Sequence, residues 1–381
     1  MIRTADRLET VEEYYFSIKL REVRALVASG KPVINMGVGS PDMAPSPEVL
    51  RALTASVTDP GAHMYQSYQG LPELREAISG FYEDKFGVRV DADSQILPLM
   101  GSKEGIMHIC MAFLNEGDDV LIPNPGYPTY ASVARLVGAK TRYYDLREAN
   151  GWFPDLQALE GQDLASVRLM WVNYPHMPTG ATASRGQLEQ LVDFAKKHQI
   201  LLVNDNPYSF VLGRDRVSLL GIPGAIDTAL ELNSLSKTFN MAGWRVGMVL
   251  GSGAHISAIL KVKSNMDSGM FYGIQKGAIA ALRSQAEWFA QLDAIYSRRR
   301  ELLFSLAEAL GCSFDREAAG MFLWAKLPEG SGGSEAFTDR LLYEKNLFVA
   351  PGTIFGSQGE GYIRFSLCVK EEQIREAINR V

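Results

Sequence analysis

Short, unbroken apolar runs recur through the middle of this 381-residue chain: Val120-Leu121-Ile122, Leu169-Met170-Trp171-Val172, Ile200-Leu201-Leu202-Val203 and Val246 to Leu250. A strand with one wet face would alternate apolar and polar residues, and these do not. A strand apolar on both faces needs a layer on each side. Helical patterns lie between the runs, such as Ile106 to Leu114 and Leu188 to Ala195. Ile96 to Met100, Thr141 to Tyr144 and Thr228 to Leu232 add further strand-like segments. The rhythm points to an α/β sheet covered by helices. In such sheets ligands gather beyond the carboxyl ends of the strands, so the residues following each run are where chemistry is expected.

Several of those turns carry suitable groups. Gly101-Ser102-Lys103-Glu104-Gly105 follows the strand Ile96 to Met100 and opens a helix. A glycine-led turn of this kind presents free backbone N–H groups and the positive end of a helix dipole, which suits a phosphate. Ser102 and Lys103 add a hydroxyl and a charge, although many α/β turns look alike. Pro123-Asn124-Pro125-Gly126-Tyr127-Pro128 is stiffened by its prolines. Tyr127 is thereby held where it can stack on a flat ring or pack in the core. Asp205 and Tyr208 sit just past Ile200 to Val203, where Asp205 is equally suited to capping a helix. Gly37-Val38-Gly39 allows close backbone approach to a ligand, or is a plain turn. Tyr65 and Tyr68 lie on a loop before a helix opened by Pro72 and closed near Gly87.

The stretch from Asn233 to Gly247 holds Ser234, Ser236 and Lys237, with Arg245 eight positions beyond the lysine. It joins two strands. An ammonium between buried strands is costly to desolvate. If desolvated, its pKa falls and it becomes a nucleophile able to form a Schiff base. The plain alternative is a surface turn with a solvated lysine. Towards the C-terminus, Gly361 to Leu367 alternates, so Arg364 shares a face with Tyr362 and Ser366. By itself such an arginine can be a strand-surface ion-pair partner.

The remaining pattern concerns the ends. Val11, Tyr14, Tyr15, Ile18, Val23, Leu26 and Val27 predict a helix from Val11 to Ala28 capped by Gly30. A single long helix is expected from Gln275 to Gly311, bridging two domains. Strands and helices after it form a separate α+β unit. The expected division is residues 1–40 as an N-terminal arm and part of a small domain, 41–275 as the large domain, and 276–381 as the bridging helix and small domain. Acidic residues (44) slightly outnumber basic ones (38), which argues against nucleic acid or an anionic membrane as partner. No apolar run reaches the ~18 residues of a membrane span, and the N-terminus lacks a signal-peptide core. Cys110, Cys312 and Cys368 are odd in number and widely spaced, as in a cytoplasmic protein with reduced thiols. The five histidines show no zinc-ligand spacing, so no metal site is expected.

Together the turns offer a phosphate cradle, an aromatic plate, a carboxylate, a phenol, a Schiff-base lysine and arginines. Pyridoxal 5'-phosphate requires this set. Here the chain resembles the fold-type I pyridoxal-phosphate enzymes, specifically class I aminotransferases of the aspartate aminotransferase superfamily. The likeness covers nearly the whole chain and rests on Ser234-x-Ser236-Lys237 with Arg245, Asp205-x-x-Tyr208 and Pro178-Thr179-Gly180 in the family's order. Gly101 to Ile106 and Lys263 to Gly269 look most like the LL-diaminopimelate aminotransferase subgroup.

The resemblance implies a large domain with a mainly parallel mixed sheet flanked by helices, and a smaller α+β domain. It implies that Lys237 holds the cofactor and moves the substrate's proton. Asp205 would pair with the ring nitrogen, Tyr208 with the phenolate oxygen, and Tyr127 would stack on the ring. Ser102, Lys103, Ser234 and Arg245 would hold the phosphate. Tyr65 would reach the phosphate of a neighbouring subunit, so a homodimer with shared sites is implied. Arg364 would clamp the substrate α-carboxylate beside the Gly39 backbone. The implied reaction moves an amino group from an amino acid to a 2-oxo acid by a ping-pong route.

One position departs from the family. An asparagine usually precedes Pro-Thr-Gly and donates to the phenolate oxygen; here Met177 stands there and cannot donate. His176 either compensates or faces solvent. A second departure concerns Tyr68, where some diaminopimelate enzymes carry an acidic residue. A C–S β-lyase on the same scaffold, or a catalytically silent ligand sensor, are the alternative functions.

Overall fold

The structure is a computed structural model that describes residues 2–11, 13, 15–213 and 215–381. Seven strands form the main sheet: β1 (Ile96–Leu99), β2 (Asp119–Asn124), β3 (Lys140–Asp145), β4 (Val167–Val172), β5 (Leu201–Asp205), β6 (Ala229–Ser234) and β7 (Gly247–Leu250). Their order is β1-β7-β6-β5-β4-β2-β3. Strands β2 to β6 pair in parallel, and β7 runs antiparallel to both neighbours. The expected mainly parallel mixed sheet is therefore borne out. Alternate residues of one strand enter different cores. Leu169 and Trp171 of β4 pack on one face, Met170 and Val172 on the other. Both faces are dry, which is why these strands read as unbroken apolar runs.

This topology gathers the turns. The six strands of common direction send the segments after Leu99, Asn124, Asp145, Val172, Asp205 and Ser234 out at one edge. Strand β7 enters from the same edge, since Gly247 pairs with both Leu99 and Ser234. Arg245 thus arrives beside the turn that follows β1.

A second, antiparallel sheet contains β8 (Ser313–Phe314), β9 (Phe322–Lys326), β10 (Ala350–Pro351) and β11 (Tyr362–Ser366), in the order β10-β11-β9-β8. Arg364 lies on its central strand β11, opposite Trp324. Ile34–Asn35 pairs in parallel with Leu347–Phe348, which ties the Gly37–Gly39 turn to this unit.

Four helices concern the site: α1 (Tyr15–Ala28), α2 (Pro47–Ser56), α3 (Pro72–Phe86) and α4 (Ser102–Phe113). Helix α3 opens on Pro72 and stops at Gly87, whose φ of +67° suits glycine. Two expectations need correction. The first helix does not begin at Val11; a 3-10 turn (Asp6–Thr10) precedes α1, and Tyr14 lies outside the described residues. Ile18 and Val27 of the expected apolar face are exposed, whereas Phe16 is buried. The segment has apolar residues around its whole circumference, so contact with the second unit selects the buried face. Helix α1 is pinned there by Lys19, 3.0 Å from Asp339, and by the Tyr343 hydroxyl donating to Glu22. Nor is there one helix from Gln275 to Gly311. Tyr272–Leu282 and Ala286–Ala309 are separate, broken at residues 283–285. No glycine or proline marks the break. Tyr272–Leu282 packs on α2 and α3, while Trp288 at the start of the next helix donates to the Thr238 carbonyl. Tertiary packing thus overrides helix propensity here.

Candidate active site

The first wall of the site is the turn after β1. Gly101 has φ +93° and caps α4. A Cβ there would collide with the Arg245 guanidinium, and one at Gly247 would come within 2.6 Å of the Ser102 nitrogen. The two glycines therefore let arginine and helix N-terminus converge. Ser234 caps the short helix carrying Lys237: its hydroxyl accepts from the Ser236 N–H at 3.1 Å and donates to Ser236 Oγ at 2.8 Å. Ser102, Lys103, Ser234 and Arg245 line one end of a cavity of about 500 Å³. Burial, and then the nearby Arg245 charge, lower the Lys103 pKa.

Asp205 ends β5 on the floor of the same cavity. Its Oδ2 accepts from the Tyr130 hydroxyl at 2.9 Å, and Tyr130 is stacked on Trp171 at 4.7 Å between centroids. Its Oδ1 is buried and has no hydrogen-bond partner. Desolvation raises the carboxyl to about 7, against the opposing Tyr130 bond. Asn173 holds the floor: its Nδ2 donates to the Asp205 carbonyl, and its Oδ1 accepts from the Met177 N–H at 2.7 Å. Tyr127 and Tyr208 face this region. Burial pushes both phenols above their ordinary range, opposed at Tyr208 by Arg364.

Lys237 reaches the middle of the cavity, where its Nζ donates to the Gly39 carbonyl at 2.5 Å. Burial lowers its pKa. The Cys368 side chain opposes that shift, and the charges of Arg364 and Arg245 reinforce it. Arg364 is 4% exposed. Its Nη2 donates to the Gly37 carbonyl at 2.7 Å, and its guanidinium lies 3.9 Å from the centroid of the Phe322 ring.

Ten of the residues singled out in the sequence therefore line one cavity: Gly39, Ser102, Lys103, Tyr127, Asp205, Tyr208, Ser234, Lys237, Arg245 and Arg364. Tyr65 does not. It is 90% exposed, on a separate shallow depression with His63, Met64 and Phe271. His176 neither faces solvent nor reaches the cavity. It is buried, its Nδ1 is 2.8 Å from Thr179 Oγ1, and desolvation lowers it to about 3. It therefore cannot replace the missing donor at Met177. Tyr130, Asn173, Phe16 and Leu20 also line the cavity and were not expected. Only their tertiary contacts reveal them, since the first two read as ordinary strand-end and helix residues. Elsewhere, Glu104, His108 and Asp267 bring potential metal-ligand atoms within 4.8 Å, a grouping no histidine spacing announces. Asp267 is already paired with Lys263 at 2.9 Å.

Residues 31–381 match the model for aminotransferase class I and II. The chain belongs to that family. It is 39% identical to an LL-diaminopimelate aminotransferase of Dehalococcoides mccartyi, over 100% of this chain and 98% of the relative. It is likewise 39% identical to one of Oleidesulfovibrio alaskensis, over 99% and 98%. Among solved structures, apo-BacF of Bacillus subtilis superimposes with a TM-score of 0.96 at 34% identity, covering 100% of this chain and 98% of that one. The chain is a pyridoxal-phosphate-dependent aminotransferase.

The residues present fit that cofactor. The unpartnered Asp205 Oδ1 is the acceptor a protonated ring nitrogen needs. The glycine-lined α4 N-terminus with Arg245 is a phosphate cradle, and Lys237 is a desolvated amine between them.

Proposed function

We propose that this cavity moves the amino group of an L-amino acid to a 2-oxo acid, with the donor's product leaving before the acceptor binds. When bound, the cofactor supplies an electron sink for the negative charge left as the substrate's Cα–H bond breaks. Lys237 Nζ carries the proton away from that carbon and returns it. Burial favours its neutral form, as a base requires. Asp205 Oδ1 keeps the proton on the ring nitrogen. Arg364 receives the α-carboxylate as a bidentate pair, with the Gly39 backbone alongside. Ser102, Lys103, Ser234 and Arg245 would hold the phosphate, Tyr127 would stack on the ring, and Tyr208 would donate to its phenolate oxygen. The observation that carries this reading is a half-buried lysine in one cavity with an unpartnered aspartate oxygen and a buried arginine.

The same reading makes the molecule a homodimer in which Tyr65 reaches the partner's phosphate. Its support is the exposure of Tyr65 together with that of Met64, Met266 and Phe271, an apolar surface of the kind that subunits cover. Residues 41–275 then form the cofactor domain, and 276–381 with the N-terminal arm form the smaller one. Among the described residues no helix is long and apolar enough to cross a membrane. The free cysteines suit a reducing cytoplasm. By resemblance alone LL-diaminopimelate, aspartate and alanine are the candidate donors, the first because relatives bear its name; the cavity lining favours another class.

The test is steady-state kinetics with varied donor and acceptor. Parallel double-reciprocal lines are expected. Product formation from an amino acid without any oxo acid, continuing past one equivalent of enzyme, would overturn the reading.

A further inference from the structure

We infer that the amino donor carries an uncharged, apolar side chain of the size of leucine, methionine or phenylalanine. The inference rests on the reading of Lys237 and Arg364 given above. Once the phosphate, ring and amine positions are assigned, most of the remaining lining is apolar: Phe16, Leu20, Val38, Met177, Phe322 and Phe355, with Pro207 and Ala242. Its polar side chains are Ser17, Tyr130, Asn173, Ser236 and Arg364; Tyr130 and Asn173 are already hydrogen-bonded to Asp205, and Ser236 to Ser234. Arg364 is the one charged side chain in that remainder, among the described residues, and it is reserved for the α-carboxylate. Three rings surround it: Phe322 at 3.9 Å, Phe355 at 4.6 Å and Phe16 at 5.5 Å.

A donor ending in a second ammonium would need a carboxylate here. Among the described residues Asp205 is the only one lining the cavity, on the floor against Tyr130. Among the described residues, the carboxylates nearby are engaged: Glu13 pairs with Arg21, Asp42 with Arg299, and Glu335 accepts from the Thr353 hydroxyl at 3.1 Å. The loop that a second copy would extend towards the site, Tyr65-Gln66-Ser67-Tyr68-Gln69-Gly70, carries no charge. A second carboxylate on the donor would meet the same rings, because Lys103 and Arg245 stand at the phosphate end. A charge moved from water into such surroundings without a partner is strongly disfavoured, whereas an apolar side chain gains by leaving water.

The experiment follows the donor half-reaction alone, so the choice of acceptor does not enter. The dimer loaded with pyridoxal phosphate is mixed with phenylalanine, leucine, methionine, lysine, aspartate or LL-diaminopimelate, and the change in cofactor absorption is timed. Phenylalanine, leucine or methionine should react with an efficiency on the order of 100-fold above the three charged donors. Leu20→Glu, which places a carboxylate on the α1 wall, should move the lysine-to-phenylalanine ratio about 10-fold towards lysine. LL-diaminopimelate, lysine or aspartate reacting fastest would overturn the inference and leave the roles of Lys237 and Arg364 standing. If no donor changes the absorption, those roles fall, and the inference with them.

Discussion

The sulfur of Met177 lies 3.2 Å from Nη1 of Arg364, while the Gly37 carbonyl accepts from Nη2. A thioether is a weak acceptor, so it can orient a guanidinium without neutralising it. In this chain, position 177 thus contacts Arg364, the arginine proposed to bind the substrate carboxylate. Met177→Leu keeps the volume and removes the acceptor. KM for the amino donor should rise about 2–5-fold, corresponding to roughly 0.5–1 kcal/mol, with kcat little changed. An equal fall in kcat would mean that Met177 acts elsewhere.

Met177→Asn installs a hydrogen-bond donor immediately before Pro178-Thr179-Gly180. The pH titration of the bound cofactor's visible absorption should shift relative to the parent protein. An unchanged titration midpoint would show that residue 177 does not reach the phenolate oxygen.

Arg364→Lys keeps the charge and loses the planar fork. The two hydrogen bonds to a carboxylate become one at best, so kcat/KM should drop about 10–100-fold, roughly 1.5–3 kcal/mol. Cofactor affinity should be nearly unchanged, measured by titrating absorption with pyridoxal phosphate. A large loss of cofactor affinity instead would place Arg364 in the phosphate region.

The Asp205 carboxyl has a folded-state pKa of about 7 against an ordinary 3.8. Between those values the cofactor-free native state binds more protons than the unfolded chain, so stability falls as pH rises through that window. At pH 8 the buried carboxylate then costs on the order of 4 kcal/mol. Cofactor-free Asp205→Asn should therefore gain in Tm relative to the parent at pH 8 and lose that advantage towards pH 4. Added pyridoxal phosphate should stabilise the parent more than the variant, because a cationic ring nitrogen pairs with the carboxylate. A Tm difference independent of pH would contradict this.

Tyr65→Phe removes one hydroxyl from an exposed side chain. The subunit should melt as before. If Tyr65 reaches the phosphate of a second copy as proposed, cofactor dissociation should rise about 10-fold, as expected for a lost hydrogen bond to a charged phosphate. Equal cofactor affinity in the two proteins would remove Tyr65 from the site.

Much of this site was legible because each turn declares itself locally. Gly101 needs positive φ, Pro72 opens a helix, and dry strands cannot hide their composition. The residues that escaped depend on distant contacts. Tyr130 supports Asp205 across 75 positions of sequence. Asn173 looks like an ordinary strand-end residue until its two hydrogen bonds are seen. Phe16 was hidden because α1 is apolar on more than one side, so period alone does not say which side meets Arg364. The break at residues 283–285 has no local signal either, since it follows from the different partners of the two helices.

The central claim is that Lys237 carries the cofactor covalently. Borohydride reduction of the pyridoxal-phosphate-loaded protein, followed by peptide mapping, tests it most directly. The reduced cofactor mass should appear on the peptide containing Lys237 and vanish in Lys237→Ala. A label on another lysine, or a protein that takes up no cofactor at all, would contradict the account.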